Sequence, residues 1–452
     1  MLSAFKNCLR IPELRDRILF TMGMIFICRL VAHVPTPGVD AVALQRVVSD
    51  IQKSSGGGVL GLLDMFSGGA LSNCAVGALG IMPYISASII LQLLSAVVPA
   101  LGRLKLEGDT GRQKLTQYTR MLTVFLCVIQ GWFMASTLEN PAVLGLPEGV
   151  SLVLNPGLGF KLMTIVTMTT GTMFIMWLGE QITQRGIGNG ISLIITEGIV
   201  SRLPAAVAYV IQMFHVGEDG IRQFNPIFLI VLIFALFGVV AGTIMLTQGQ
   251  RKIPIQYAKR MVGRKVYGGQ TTFMPLRINY SGVMPIIFAQ SILMFPAILL
   301  RRIPGDFAQK VADSLTMDTG LYMLLYGIMI LFFSYFWVAT QFNPVQIADD
   351  LKKYGGYVPG VRPGGPTAEF LDLTMTKITL AGAIFLTIIA VIPSVMNRQF
   401  GVPWLVSSFF GGTSLLITVG VMLDTMRQVE SHLLMRHYDG FLHKGKLRGR
   451  RS

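Results

Sequence analysis

Charge is what this chain has least of. Only 13% of its 452 residues are Asp, Glu, Lys or Arg, and 52% are hydrophobic. A soluble surface needs about a quarter charged residues, so an ordinary soluble domain is excluded. Acidic residues are scarcer still, 23 against 38 basic ones, for a net charge of +15. Cys8, Cys28, Cys74 and Cys127 are scattered and make no C-x-x-C, which excludes a redox dithiol and leaves them as small apolar fillers. No G-x-x-x-x-G-K-[ST] run is present, so no ATP-driven step is expected from the chain itself. Inside the apolar runs no nucleophile is paired with a base and no two carboxylates stand together, which argues against an intramembrane enzyme. His432 and His437 have no third ligand nearby, so neither a metal nor a cofactor is expected. The first apolar run ends in His33-Val34-Pro35-Thr36-Pro37 without a small-x-small cleavage site, and is expected to be retained.

Long apolar runs are abundant. A helix crosses a bilayer in about 20 residues. Runs of that order lie near Ile18–Pro35, Val76–Val98, Tyr118–Leu138, Phe160–Leu178, Ile191–Val210, Ile227–Leu246, Gly282–Leu300, Leu321–Ala339, Ile378–Met396 and Val406–Met426. With both termini in the cytoplasm, roughly three quarters of the Lys and Arg fall in cytoplasmic segments, as the positive-inside rule requires. The turn-rich stretch from His215 to Gly220 divides the spans into two sets of five. Five is odd, so the second set is inverted relative to the first, an arrangement that builds a path at the interface of the halves.

One apolar stretch is too short to span: Gly61-Leu62-Leu63-Asp64-Met65-Phe66-Ser67-Gly68-Gly69-Ala70-Leu71. It leads into a run carrying Pro83 and a polar stripe of Ser86, Ser88 and Gln92. Irregular backbone at membrane depth is tolerated only where protein or a water-filled cavity surrounds it. The chain is therefore expected to enclose a path with this half-segment in it. A small-solute transporter would also have inverted halves, but needs converging charged ligands near the midplane. Glu197 and Arg29 are too few for that; Glu197 could be protonated, pair with Arg29 or face an aqueous path, the last being the expectation, and Arg29 is expected to snorkel to the outer interface.

Two cytoplasmic loops are long, 248–278 and 343–375. The first is basic, and its Lys252–Tyr257 portion alternates as an extended ribbon does. The second sets Arg362 among prolines and glycines that fix tight turns. With the basic tail 436–452 they suit RNA phosphates, an acidic protein surface or anionic headgroups.

Four motifs carry a family resemblance. They are Ile81-Met82-Pro83-Tyr84-Ile85-Ser86-Ala87-Ser88-Ile89-Ile90, Trp177-Leu178-Gly179-Glu180-Gln181-Ile182-Thr183-Gln184-Arg185-Gly186-Ile187-Gly188-Asn189-Gly190-Ile191-Ser192, Pro359-Gly360-Val361-Arg362-Pro363-Gly364 and Phe410-Gly411-Gly412-Thr413-Ser414-Leu415-Leu416-Ile417. From about Glu13 to Tyr438 the chain resembles the bacterial SecY family of protein-translocase channel subunits. The resemblance implies an all-α polytopic membrane protein, with ten transmembrane helices in two inverted five-helix halves, 18–215 and 216–435. These would form a clam-shell around an hourglass pore, preceded by a cytoplasmic N-terminus, 1–17. It implies a pore ring of Ile81, Ile85, Ile191, Ile195, Ile287 and Ile417, a hydrophobic constriction that stops ions by dewetting. It implies a plug at 60–71, including Leu62, Leu63, Asp64, Met65, Phe66, Ser67, Gly68 and Gly69. A lateral gate would have Ser86, Ser88 and Gln92 facing Gln290 and Ser291, polar contacts weak enough to part. It implies docking through Arg251, Lys252, Lys259, Arg260, Arg264, Lys265, Lys352, Lys353 and Arg362. The implied partners are the SecE and SecG subunits, the SecA motor ATPase, the ribosome, signal-bearing polypeptides and membrane lipids.

Overall fold

The computed structural model describes residues 11–40, 43, 64, 67–139, 152–214, 226–257, 260–262, 265–267, 271–300, 305–315 and 319–444. Among the described residues, six helical stretches are long and apolar enough to cross a membrane: Asp109–Glu139, Leu158–Arg185, Gly190–Met213, Leu229–Gln248, Gly320–Lys353 and Gly365–Phe400, the third and fifth of them running through a break. Four further helices occupy the remaining expected spans: Pro12–Val31, Met82–Val97, Met284–Leu300 and Thr413–Lys444. The chain divides into two compact units, Met1–Ala208 with Val421–Ser452, and Tyr209–Gly420.

The first unit contains α1 (Pro12–Val31), α2 (Met82–Val97), α3 (Pro99–Leu106), α4 (Asp109–Glu139), α5 (Leu158–Arg185) and α6 (Gly190–Ser201). Helix α7 (Leu203–Phe214) begins in it. Pro83 sits in the first turn of α2, where its missing N–H costs nothing, and Pro99 opens α3 in the same way. Helices α4 and α5 are joined by an ion pair: Arg120 on α4 donates through two nitrogens to the Glu180 carboxylate on α5. Between α5 and α6 the chain turns sharply. Asn189 caps α6, its side-chain oxygen accepting from the N–H groups of Ile191 at 3.1 Å and Ser192 at 3.3 Å. Gly190 lies so close to α5 that a Cβ on it would stand 1.9 Å from the Gly179 carbonyl oxygen. Absence of a side chain is what lets these two helices meet.

The second unit holds α8 (Pro226–Gln248), α9 (Met284–Leu300), α10 (Asp306–Ser314), α11 (Gly320–Gln341), α12 (Pro344–Lys353), α13 (Gly365–Phe400) and α14 (Trp404–Gly411). Helix α15 (Thr413–Lys444) starts here and continues into the first unit from Val421.

This unit is not all helix. Strand β1 (Gln250–Tyr257) pairs antiparallel with β4 (Thr271–Arg277) from Gln250↔Arg277 to Gln256↔Thr271. A two-residue strand, β5 (Gly356–Tyr357), pairs with the other edge of β1 through Gln256↔Tyr357 and Tyr257↔Gly356. The short strands β2 (Arg260–Val262) and β3 (Lys265–Tyr267) form a separate hairpin. The extended ribbon expected from alternation is thus present, and it adds a sheet to the all-α expectation. Ile253 and Ile255 point inward while Lys252, Pro254 and Gln256 are exposed. Ile253 packs with Leu276 and Val358 on Val338 of α11, on Phe342 just beyond it and on Leu371 and Met375 of α13. Ile253→Asp buries an unpaired carboxylate in this cluster and is expected to cost about 3–5 kcal/mol. Limited proteolysis should then cut within β1–β4, whereas Lys252→Ala should leave the cutting pattern unchanged.

Candidate functional site

The half-segment does not continue as a helix into α2. Asp64 is helical, residues 67–81 run through successive turns, and α2 starts only at Met82 instead of the expected Val76. Leu62, Leu63, Met65 and Phe66 lie outside the described residues. The turns are closed by short bonds, Gly69 N–H to the Asp64 carbonyl at 2.8 Å and Ala75 N–H to the Ala70 carbonyl at 2.8 Å among them. Ala70 and Ala75 are completely buried. Gly68 and Gly69 take φ of +65° and +88°, a region that side chains disfavour.

Polar groups hold its first turns. Arg202, in the break between α6 and α7, makes an ion pair with the Asp64 carboxylate and donates to Ser72 Oγ at 2.7 Å. The other Asp64 oxygen accepts from the Ser72 N–H at 2.8 Å. Arg29, in the last turn of α1, donates to the Gly68 carbonyl, which also accepts from Ser201 Oγ at 3.4 Å. The Arg29 Nε lies 3.8 Å from Glu197 Oε1. Arg29 therefore does not snorkel away. A carbonyl and a carboxylate within reach satisfy it without unwinding its stem toward water. Glu197 has a partner in Arg29, one of the arrangements open to it from sequence. The Asp64–Arg202 pair, 138 residues apart, has no local signature and was missed. The only sequence signal for it is an acid in an apolar half-segment and a base between two apolar helices.

The remaining predicted residues are placed as follows. Ile81 caps α2 and Ile85 lies in its first turn; with Ile195 on α6 they are buried, and Ile191 is half-buried. Ile287 on α9 and Ile417 on α15 are buried in the second unit. On α2, Gln92 Nε2 donates to Ser88 Oγ at 3.2 Å, one turn apart, while Ser86 is half-buried. On α9, Ser291 Oγ donates to its own helix at the Ile287 carbonyl, 2.8 Å, and Gln290 Oε1 is buried without a partner among the described residues.

Arg251 and Lys252 are exposed on β1; Arg260 and Lys265 belong to the hairpin, and Lys259 and Arg264 lie outside the described residues. Lys352 and Lys353 sit in the last turn of α12, where cations suit the carbonyl end of a helix. Arg362 is exposed on a tip whose turn is closed by the Val361 N–H to the Val358 carbonyl at 3.1 Å, and its own carbonyl accepts from Thr367 Oγ1 at 2.8 Å. Strand β5 joins the two loops: Tyr357 Oη donates to Gln256 Oε1 at 3.0 Å. The basic loop after α8 and the arginine tip after α12 thus form one folded platform, which separate readings of the loops did not reveal.

The SecY family model matches residues 75–426. The chain belongs to the SecY family. It is 44% identical over 448 residues to the protein translocase subunit SecY of Streptomyces coelicolor, covering 98% of this chain and all of that relative. Its fold is similar to a solved SecY protein whose plug domain stabilises the closed state of the translocation channel and maintains a membrane seal. The TM-score is 0.62 at 18% identity, with 96% of this chain and 94% of that one covered. It is also similar to Sec61 in the canine ribosome-channel complex from the endoplasmic reticulum. There the TM-score is 0.60 at 17% identity, again covering 96% and 94%. In SecY-family terms, the motif Trp177–Ser192 is the α5–α6 corner. It is anchored by the Ile187 N–H to Thr21 Oγ1 of α1 at 3.1 Å and by the Gly188 N–H to Gln428 Oε1 of α15 at 2.9 Å.

Proposed function

We propose that this chain is the central, channel-forming subunit of a bacterial protein translocase. It passes unfolded secretory polypeptides across the inner membrane and releases membrane-protein helices sideways into lipid. The observation that carries this reading is a non-spanning run of turns at 67–81, tied to Asp64 and Arg202 by buried polar bonds directly ahead of α2 in a SecY-family chain. Such a segment has no role in a bundle that merely faces lipid. It serves as the plug. Ile81, Ile85, Ile191, Ile195, Ile287 and Ile417 make the waist, where stiff apolar side chains seal around a peptide without binding it directionally. Helices α2 and α9 are the gate, through Ser86, Ser88, Gln92, Gln290 and Ser291.

The chain does not hydrolyse nucleotide; SecA or the ribosome supplies the drive. They dock on the platform through Arg251, Lys252, Lys259, Arg260, Arg264, Lys265, Lys352, Lys353 and Arg362. An arginine on a rigid turn suits bidentate contact with carboxylate or phosphate. The ribosome-bound Sec61 neighbour supports ribosomal docking. SecE braces the two halves from behind, SecG accompanies it, and both termini lie in the cytoplasm, in keeping with the basic bias of those segments.

A photo-crosslinker at Ile287 tests the reading. A secretory precursor stalled midway should crosslink there through its middle, and only with its signal sequence intact. A precursor that docks with SecA and ATP yet gives no crosslink would overturn the waist assignment.

A further inference from the structure

Two arginines approach Asp64 and residues 67–72, one from the last turn of α1 and one from the break between α6 and α7, and every contact they make there lies within the first unit. Arg202 reaches both ends of the segment, pairing with Asp64 and donating to Ser72 Oγ. Because Asp64 also accepts from the Ser72 N–H, carboxylate, amide and guanidinium close the segment into a loop. Arg29 and Ser201 converge on the Gly68 carbonyl, and Glu197 stands beside Arg29. The two glycines are there for contact. A Cβ on Gly68 would lie 3.0 Å from both Arg29 Nη1 and Gly198 Cα, and one on Gly69 would lie 2.7 Å from Arg202 Nη2. With φ of +65° and +88°, both positions also favour glycine by their backbone conformation.

Asp64, Glu197, Arg29 and Arg202 together are charge-neutral while the segment is seated. If the segment leaves, Asp64 leaves with it, and Arg202 loses its charged partner where desolvation is costly. The seated state is thus favoured by an interaction the displaced state lacks, which is the requirement for a two-state latch. We propose that Arg202, with Arg29 braced by Glu197, is the latch that holds this segment closed and sets how hard the channel is to open. The proposal rests on the plug reading of this segment. Arg202 acts as a positioning residue; a translocating chain need not touch it.

The test is chloride leak from vesicles of phosphatidylethanolamine and phosphatidylglycerol carrying the purified complex with its SecE and SecG subunits. Three proteins are compared with the native complex: Arg202→Ala, a deletion of residues 61–69, and the swap Asp64→Arg with Arg202→Asp. Breaking the pair is expected to shift the seated–displaced balance by about 100-fold and the leak by about 10-fold or more. The deletion should leak at least as much, and the swap should reseal. If the deletion leaks but Arg202→Ala stays tight at an unchanged thermal midpoint, the latch is overturned and the plug stands. A deletion that stays tight overturns the plug reading and the latch with it. A leak that the swap leaves unsealed overturns the ion pair as its cause. Should Arg202→Ala fail to assemble, Asp64→Asn, which keeps the shape and removes the charge, decides the question by the same leak assay.

Discussion

Replacing Gly190 by alanine is expected to lower stability by about 3 kcal/mol, the upper range for overpacking, because the obstacle is backbone. The added Cβ would meet the Gly179 carbonyl oxygen at 1.9 Å and the Ile182 Cβ at 2.8 Å. Neither can rotate away. To make room, α6 must move off α5, and that strains three anchors of the corner. These are the Gly190 N–H bond to Thr183 Oγ1 at 2.9 Å, the Ile187 bond to α1 and the Gly188 bond to α15. Purified complex should show a depressed thermal midpoint and low accumulation. Gly179→Ala is the control. Its Cβ would meet the Ile194 Cδ1 at 3.2 Å, the far end of a flexible side chain, and the effect should be much smaller. Equal losses in the two variants would show that the α5–α6 approach does not depend on the bare backbone at Gly190.

Charge reversal at Arg362 is expected to have the largest effect on transport. The side chain is exposed and the tip is fixed by its own backbone, so Arg362→Glu should leave the thermal midpoint unchanged. Losing a desolvated charge contact across an interface costs about 2–5 kcal/mol, which is at least about 30-fold in SecA-driven translocation of a precursor. Arg251→Glu, exposed on β1, should cost less and be rescued by low salt, as a steering charge is. Normal transport by Arg362→Glu would remove the tip from the docking surface. A fall in both transport and thermal midpoint would mark the arginine as structural.

Much of the fold was legible because hydrophobic burial has a period and a length. Each apolar run overlaps a helix, although Ile191–Val210 is broken at Arg202 and Val406–Met426 at Gly412, and alternation in Lys252–Tyr257 announced a strand. Boundaries were less legible. Val76 to Ile81 reads as apolar helix, yet it folds into turns. Its surroundings decide this: Leu71, Cys74 and Ala78 pack with Ala135 and Leu138 of α4 and with Phe160 and Met168 of α5. The candidate site was legible as a segment and illegible as a mechanism. Asp64 reads as an odd acid in an apolar stretch, and nothing local names Arg202 as its partner.

By itself, then, the sequence determined the class of molecule: which segments are apolar enough to leave water, that the charge excess is basic, which motifs recur in the SecY family, and which stretch is too short to cross. These follow from local composition, since transfer out of water depends on each side chain separately. Tertiary structure alone decided that Arg202 closes on Asp64 and that Arg29 turns to Gly68 and Glu197 instead of outward. It alone laid β5 on the edge of β1 to join two loops distant in the chain. Each is a choice among polar partners distant in the chain. A buried charge takes whichever oxygen the packed helices bring within reach, and that is known only once they are packed.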